Sequence, residues 1–440
     1  MVHLFNCLNR SFVLDVYSGS FFEVDKYAKE VIEYKLSGKS FDCFSSEFDM
    51  AKREIGALES EGILFSYPPD FTVGDFDGVI KSMCLNVSHE CNLRCAYCFA
   101  SGGDYNQKSA DKHMSVDTAK AAIDFLVKRS GKNKNLEIDF FGGEPLCNML
   151  VLTETIKYAR SLEKKHNKNF RFTLTTNALD VSSSAIDVIN NSMDNVVLSI
   201  DGRKSVHNLM RKTKEGKDSY SQILANAKAI TKTRRKSYFV RGTYTAKNLD
   251  FVSDIKSLIK EGFTNLSLES VVLKKGHSLA IENQHVIRIC NEYEKLAEYY
   301  IDERKKGNWI TFFHFNLNLY DGPCEKKLLR SCGAGCGYVA VTPEGKIYPC
   351  HQFIGKTAFE MGDILKNTYD KNIAIKFFRE NHVLQKPKCK ECWAKYYCGG
   401  GCAAHNQNSN GNLLTPDEVS CTLMKKRIEC ALAIFAIENE

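Results

Sequence analysis

Cys91, Cys95 and Cys98 stand in the run Cys91-Asn-Leu-Arg-Cys95-Ala-Tyr-Cys98, which puts three thiols in one short loop. Three thiolates can hold three irons of a four-iron cubane and leave the fourth iron open to a ligand that is not protein. A zinc site is the alternative, but structural zinc favours Cys-x2-Cys pairs and a fourth protein ligand. A second unit, Gly142-Gly143-Glu144-Pro145, joins glycines that let backbones approach closely to a carboxylate able to pair with an ammonium group. Alone, that unit also reads as a tight turn at a strand end.

Downstream, Cys332, Cys336 and Cys350 precede Cys389-x2-Cys392-x5-Cys398-x3-Cys402, and Cys421 follows. The first residues lack a basic stretch followed by an apolar core, so no secretory signal is read and a cytoplasmic location is expected. In that reducing compartment the clustered thiols among the 18 cysteines read as metal ligands rather than disulfides. A pair of structural zinc sites is the alternative for this field, since Cys389-x2-Cys392 alone resembles a zinc knuckle. Cys7, Cys43, Cys84, Cys147 and Cys290 read as small buried apolar residues, while Cys324 and Cys430 take no assignment.

Elements that could position these residues follow from the apolar pattern. From about Val73 to Gly307, β-rich runs alternate with amphipathic helical runs, which predicts consecutive βα units and a parallel sheet. The expected strands are Met83 to Ser88, Leu136 to Phe141, Phe170 to Thr176, Val196 to Ile200, Tyr238 to Thr245 and Leu266 to Leu273. Ser115 is the expected cap of a helix over Val116 to Val127. The cysteine loop, Gly142 to Pro145, Thr176-Asn177 and Asp201-Gly202 then follow successive strands, and Glu269 lies within the sixth. Chemistry in such barrels sits at the carboxyl ends of the strands, so the unusual residues gather at one rim.

Before the barrel, Met1 to about Asp70 reads as a small α+β unit, with strands over Ser11 to Val16 and Ser20 to Val24 and helices over Tyr27 to Leu36 and Phe48 to Ser60. After about Tyr320, periodicity fades and glycine and cysteine become dense, which suggests a fold stapled by metal rather than by a large core. With 43% hydrophobic and 26% charged residues, the 440-residue chain reads as a soluble protein. No apolar run approaches the ~18 residues of a membrane span. The net charge of +7 is spread along the chain and suits an acidic peptide without implying nucleic acid.

The Cys-x3-Cys-x2-Cys motif, with Tyr97 before its last cysteine, resembles that of the radical S-adenosylmethionine (SAM) superfamily. The resemblance implies a [4Fe-4S] cluster whose open iron is chelated by SAM. It implies that Tyr97 packs near the adenine, that Gly142, Gly143 and Glu144 hold the methionine amino group, and that Asn177 and Ser199 contact the nucleoside or the methionine carboxylate. The plain alternative is that Thr175, Thr176 and Ser199 satisfy backbone groups at strand ends. His207 and Arg211, spaced i and i+4, read as stabilising the loop after the fourth strand.

The second cysteine field resembles the SPASM domain. That likeness implies an auxiliary [4Fe-4S] cluster on Cys332, Cys350 and Cys402 and another on Cys389, Cys392, Cys398 and Cys421, with Cys336 as the remaining candidate. If Cys336 binds, the first auxiliary cluster is fully ligated and carries electrons; if it is free, an iron can hold a substrate thiolate. The expected architecture is a partial (β/α)6 TIM-like barrel over residues 73–319, with a winged-helix-like peptide-recognition domain over 1–72 and a SPASM domain over 320–440.

Across all three regions the chain resembles thioether-forming maturases of the ranthipeptide type, a class of radical SAM enzymes with SPASM domains. Phe12 to Val16, Asp201 to Lys204, Ala340 to Gly345, Tyr348 to Gln352 and Cys392 to Lys395 carry this likeness. It implies that a 5′-deoxyadenosyl radical takes hydrogen from a precursor peptide, a cysteine sulfur bonds to the carbon radical, and an auxiliary cluster accepts the surplus electron. The partners it implies are a cysteine-containing precursor, its leader bound by the N-terminal domain, and an electron donor such as flavodoxin or ferredoxin. Anaerobic sulfatase maturases are similar, but they use a catalytic Asp after the auxiliary cysteine, where this chain has His351. His351 is thus the one candidate catalytic residue beyond the cluster ligands. Carbon-carbon crosslinking or epimerisation of a peptide is also open, and an iron-sulfur or zinc peptide-binding scaffold is the non-enzyme alternative.

Overall fold

The computed structural model describes residues 1–38, 45–70, 73–105, 112–317 and 329–440. Cys43 and Cys324 lie outside these residues, as do residues 71–72 and 319–320 at the two expected domain boundaries. The chain opens with β1 (Val2–Cys7), β2 (Arg10–Asp15) and β3 (Phe21–Glu23), an antiparallel sheet in that order, followed by helices α1 (Lys26–Ser37) and α2 (Ser46–Ser60). Asp25 and Ser45 cap the helices by accepting from the amides of Ala28 and Phe48. β1 has no counterpart in the sequence reading, because Val2-His-Leu-Phe-Asn-Cys alternates poorly.

Alternation along β2 sends its side chains into two cores. Val13 packs under α1 and α2 with Val31, Ile32, Ala51 and Ile55. Phe12 and Leu14 join the main core of the molecule, which also holds Leu423, Ile428 and Ala431. The N-terminal sheet is therefore fused to the C-terminal region. His3 stacks on Trp393 with 3.8 Å between ring centroids and pairs with Glu429 at 3.0 Å, and the Cys7 and Cys430 sulfurs lie 3.9 Å apart.

Next come β4 (Ser82–Ser88), β5 (Leu93–Cys95), β6 (Asn135–Gly142), β7 (Asn169–Thr176), β8 (Asn195–Ser199), β9 (Arg211–Thr213), β10 (Ser237–Tyr244), β11 (Asn265–Ser270) and β12 (Thr311–Phe312). β4, β6, β7, β8, β10 and β11 are the expected parallel strands, adjacent in that order, with the last ending at Ser270 instead of Leu273. Ser115 caps α3 (Val116–Arg129) by accepting from the amide of Thr118. On β6, Leu136, Ile138 and Phe140 are fully buried, while Glu137 and Asp139 alternate onto the opposite face. Burial, with Glu137 adding to it, pushes Asp139 up to about 7.

The C-terminal region departs from expectation. β13 (Tyr338–Val341) pairs in parallel with β4, from Tyr338 opposite Ser82 to Val341 opposite Leu85. β14 (Lys346–Tyr348), β15 (Gly362–Asp363) and β16 (Thr368–Tyr369) continue as an antiparallel meander, so one 11-stranded sheet runs through barrel and C-terminal region. The last helix, Glu418–Glu438, adds Leu423, Ile428 and Cys430 to Ile434 to the buried set. Cys430 to Ile434 are buried in succession around the helix, so this stretch carries no amphipathic stripe for sequence periodicity to reveal.

Among the unassigned cysteines, Cys7, Cys84 and Cys430 are buried, but Cys147 is exposed and Cys290 half-buried, against the sequence reading. Cys147 lies in the short 3-10 turn Pro145–Asn148, where no second layer covers it. Among the described residues no helix is long and apolar enough to cross a membrane.

Two outcomes follow. Replacing Phe12 with Ala lowers the unfolding free energy by ~3–5 kcal/mol, and hydrogen exchange then accelerates in the final helix together with β1 to β3. Asp139 holds its proton more tightly folded than unfolded, so its contribution to stability is full below the usual carboxylate pKa of 3.8 and is lost as pH rises through about 7. Urea unfolding at about pH 5 and about pH 8 checks this: Asp139→Asn narrows the difference between the two.

Candidate active site

The end of β4 and the turn after β6 are drawn together by backbone hydrogen bonds: Gly143 N donates to Ser88 O at 2.7 Å and Glu144 N to Glu90 O at 2.8 Å. A Cβ on Gly142, whose φ is +136°, would lie 2.1 Å from Ser88 O, and one on Gly143 would lie 2.4 Å from Glu90 O. Only glycine fits at either place. The cysteine loop that follows is braced twice more. Arg94 Nη1 donates to the carbonyls of Cys91 and Leu93, each at 2.8 Å, and β5 pairs with β9 so that Cys95 stands opposite Arg211.

Glu144 accepts from the Thr176 hydroxyl (2.7 Å), Asn177 N (2.8 Å) and Leu146 N (3.1 Å). Burial still pushes it up to about 7. Asn177 donates through Nδ2 to Asn92 Oδ1 at 2.8 Å and reaches within 3.7 Å of Cys91 Sγ. Thr176 Oγ1 also accepts from Ala178 N at 3.0 Å, so the strand-end role weighed for it holds beside its bond to Glu144.

These groups surround one cavity of about 240 Å³. The three barrel cysteines and the residues expected to contact the cofactor line it: Cys91, Cys95 and Cys98, then Tyr97, Gly142, Gly143, Glu144, Asn177 and Ser199, whereas Pro145, Asp201, Gly202 and His207 do not. Burial, then the nearby Glu144, pushes Cys91 up to about 12; Cys95 rises to about 11 through burial, partly offset by Arg211. Among the described residues no three His, Cys, Asp or Glu side chains gather tightly enough for a single metal ion. Three thiols ringing a cavity, beside glycines that clear its wall, fit a multi-iron cluster carrying a small-molecule ligand.

Sequence reasoning missed the charge pair beside that ring. Asp201, fully buried, accepts from the Tyr97 hydroxyl (2.6 and 2.9 Å) and Thr243 N (3.0 Å), and pairs with Arg211 Nε at 3.1 Å. Arg211 lies over the Tyr97 ring, with Nη1 4.0 Å from Cys95 Sγ. It lines the cavity instead of only bracing a loop. The available signal was Asp201-Gly202 at a strand end. His207 does brace that loop, through Ser219 Oγ at 3.1 Å and Asp201 N at 3.4 Å.

On the far wall stand Arg241, Glu269 and His351. His351 stacks on Phe141 with 4.7 Å between centroids, its Nδ1 makes no hydrogen bond among the described residues, and burial, aided by Arg241, holds it down at about 4. Burial alone would raise Glu269, but His314, Arg427 and Arg241 outweigh it and hold this carboxyl well below the usual range.

The second cysteine field falls into two groups. Cys350 is raised by burial and then by the thiols of Cys402 and Cys332; Cys421 is raised to about 12 by burial and then by Cys398, Cys389 and Cys392. The SPASM resemblance implies these same two sets as cluster ligands. Cys336 neighbours Cys332, and its thiol donates to Gly333 O at 3.4 Å.

Residues 85–249 match the family model of the radical SAM superfamily, and residues 332–393 match that of the SPASM iron-sulfur cluster-binding domain. The fold and these matches define a radical SAM enzyme. Its cofactors are SAM with the radical SAM [4Fe-4S] cluster, joined by auxiliary iron-sulfur clusters in the SPASM domain. The chain is 26% identical to the cysteine-type anaerobic sulfatase-maturating enzyme of Clostridium perfringens, over 72% of this chain and 86% of that one. It superposes on native anSMEcpe with bound AdoMet and Cp18Cys peptide with a TM-score of 0.64 at 23% identity, covering 82% of this chain and 99% of that one. It superposes on Streptococcus suis SuiB bound to its precursor peptide SuiA with a TM-score of 0.54 at 14% identity, covering 95% and 98%.

Gly142→Ala forces its Cβ against a fixed carbonyl, costing ~1–3 kcal/mol of stability. Isothermal titration should show SAM binding weakened at least tenfold, whereas Gly56→Ala, with nothing within 4 Å of its Cβ, leaves it unchanged.

Proposed function

We propose that this enzyme installs thioether bonds, from cysteine sulfur to carbon, in a ribosomally made precursor peptide. The observation that carries the reading is the adjacency of the two cysteine regions: His351 and Gln352, which line the barrel cavity, directly follow Cys350 of the first auxiliary group. A peptide residue in the cavity then has an iron-sulfur centre beside it to take the surplus electron. SAM, when bound on the barrel cluster, supplies the 5′-deoxyadenosyl radical. In this reading Cys91, Cys95 and Cys98 hold that cluster, and Glu144 with Gly142 and Gly143 receives the methionine ammonium. Tyr97, Asn177 and Ser199 complete the cofactor wall, with Tyr97 fixed by Asp201. Cys332, Cys350 and Cys402 hold one auxiliary [4Fe-4S] cluster and Cys389, Cys392, Cys398 and Cys421 the other, with Cys336 reserved beside the first. Electrons come from a flavodoxin or ferredoxin.

The winged-helix-like N-terminal unit takes the leader. β3 is an edge strand, and beside it runs a groove of about 460 Å³ lined by apolar residues such as Phe22, Met50 and Ile55 together with Glu23, Asp25, Glu47 and Glu54. An extended leader adds a strand to that edge and lays alternate side chains in the groove. C. perfringens and S. suis relatives whose structures contain a bound peptide support a peptide substrate.

Oxidation of the sulfatase-maturase kind is the second reading, favoured by the 26% identity to such an enzyme. Against it stands His351 where those enzymes carry Asp. The other carboxyl on that wall, Glu269, is held ionised by cations and is a poor proton acceptor.

The test is anaerobic reconstitution with reductant and SAM. The protein should yield 5′-deoxyadenosine, and Cys95→Ala should yield none. With a cysteine-containing precursor encoded beside the gene, mass spectrometry should find two hydrogens lost per bridge and the bridged cysteine resistant to alkylation. Turnover persisting in Cys95→Ala would refute the cluster assignment; an unchanged peptide mass would replace thioether formation with epimerisation or binding.

A further inference from the structure

The far wall of the cavity carries a charged pair that the cofactor assignments leave unused. Arg241 on β10 and Glu269 on β11 sit diagonally across neighbouring strands, since Thr243 is the residue opposite Glu269. Arg241 Nη2 lies 3.6 Å from Glu269 Oε1, and both line the cavity. Arg241 is half exposed, and among the described residues no side-chain hydrogen bond engages its guanidinium. Glu269 is anchored from behind: His314 Nε2 lies 3.1 Å from Oε1 and Arg427 Nη1 3.6 Å from Oε2. Arg427 is itself fixed, buried on the final helix with Nε donating to the Tyr293 hydroxyl at 2.7 Å. The pair thus offers one rigid acceptor and one free donor side by side.

Its position is between the two cysteine regions. Cys402 lies within the field of Glu269, and His351 within that of Arg241.

We propose that Glu269 and Arg241 clamp the backbone of the substrate residue that loses hydrogen, Glu269 accepting from its N–H and Arg241 donating to its C=O. This rests on the peptide reading above. In an extended chain the N–H and C=O of one residue point to the same side, which matches an acceptor and a donor standing together. Fixing that residue's backbone fixes which of its carbon-bound hydrogens meets the radical, and small errors in such placement cost rate steeply. Recognition through the backbone leaves the identity of the side chain to other contacts.

The test uses the iron-loaded full chain with SAM, and two probes of nearly the same shape: N-acetyl-L-alanine methylamide, and O-acetyl-L-lactic acid methylamide, in which oxygen replaces the N–H. Binding is read by saturation-transfer NMR titration. The wild type should prefer the amide by about tenfold, the worth of a hydrogen bond to a charged acceptor. Glu269→Gln should erase the preference, while Arg241→Gln should weaken both probes and keep it. A purely structural role for Glu269 would not alter the ratio. Equal binding of the two probes by the wild type, no binding by it at tens of millimolar, or a preference that survives in Glu269→Gln overturns the clamp. So does a Glu269→Gln protein whose only change is weaker SAM binding. Neither probe has a thiol, so the thioether reading stands or falls separately on the mass measurement.

Discussion

Everything at the rim of this barrel depends on how closely the turn after β6 can approach the end of β4. With Gly142 and Gly143 in place, the carbonyls of Ser88 and Glu90 accept from the turn's amides, and the cysteine loop leaves β4 in a single direction. The same contact delivers the Glu144 carboxyl to the neighbouring strand, where Thr176 and Asn177 hold it. Asn177 then reaches back to Asn92 and towards Cys91, closing a ring of contacts around the first thiol. One steric condition, the absence of two side chains, thereby fixes a backbone, a carboxyl and a sulfur at once.

Charge is arranged in two separate groups across the cavity. Beside the thiols, the fully buried Asp201 is compensated by Arg211, the Tyr97 hydroxyl and a backbone amide. On the opposite wall Glu269 is compensated by Arg427, His314 and Arg241. A buried ion such as Asp201 is tolerated only when paired and hydrogen-bonded, and both groups draw partners from elements far apart in sequence.

That separation also explains what could be read in advance. The six barrel strands were legible because each is an apolar run with its own turn signals, and the cysteine motifs because thiol spacing is local, whereas the division of the second field into two sets came from its likeness to the SPASM domain. Tyr97 and Glu144 were legible through their motif neighbours. The pairing of Arg211 with Asp201 agrees with the loop-bracing role read for it, whereas its approach to Cys95 comes from the pairing of β5 with β9, which the spacing from His207 does not show. The anchoring of Glu269 by Arg427 links positions 158 residues apart, and no local pattern encodes it. β13 and the final helix were hidden for a similar reason, since their burial depends on a sheet and a core built by the rest of the chain.

The parallel pairing of β13 with β4 has a consequence for electron transfer. The strand leading into the barrel's thiol loop is hydrogen-bonded to β13, and β13 to β14, the strand that ends just ahead of Cys350, all within one continuous sheet. The tunnelling gap between the two metal centres is then a constant of the scaffold, indifferent to what the cavity holds.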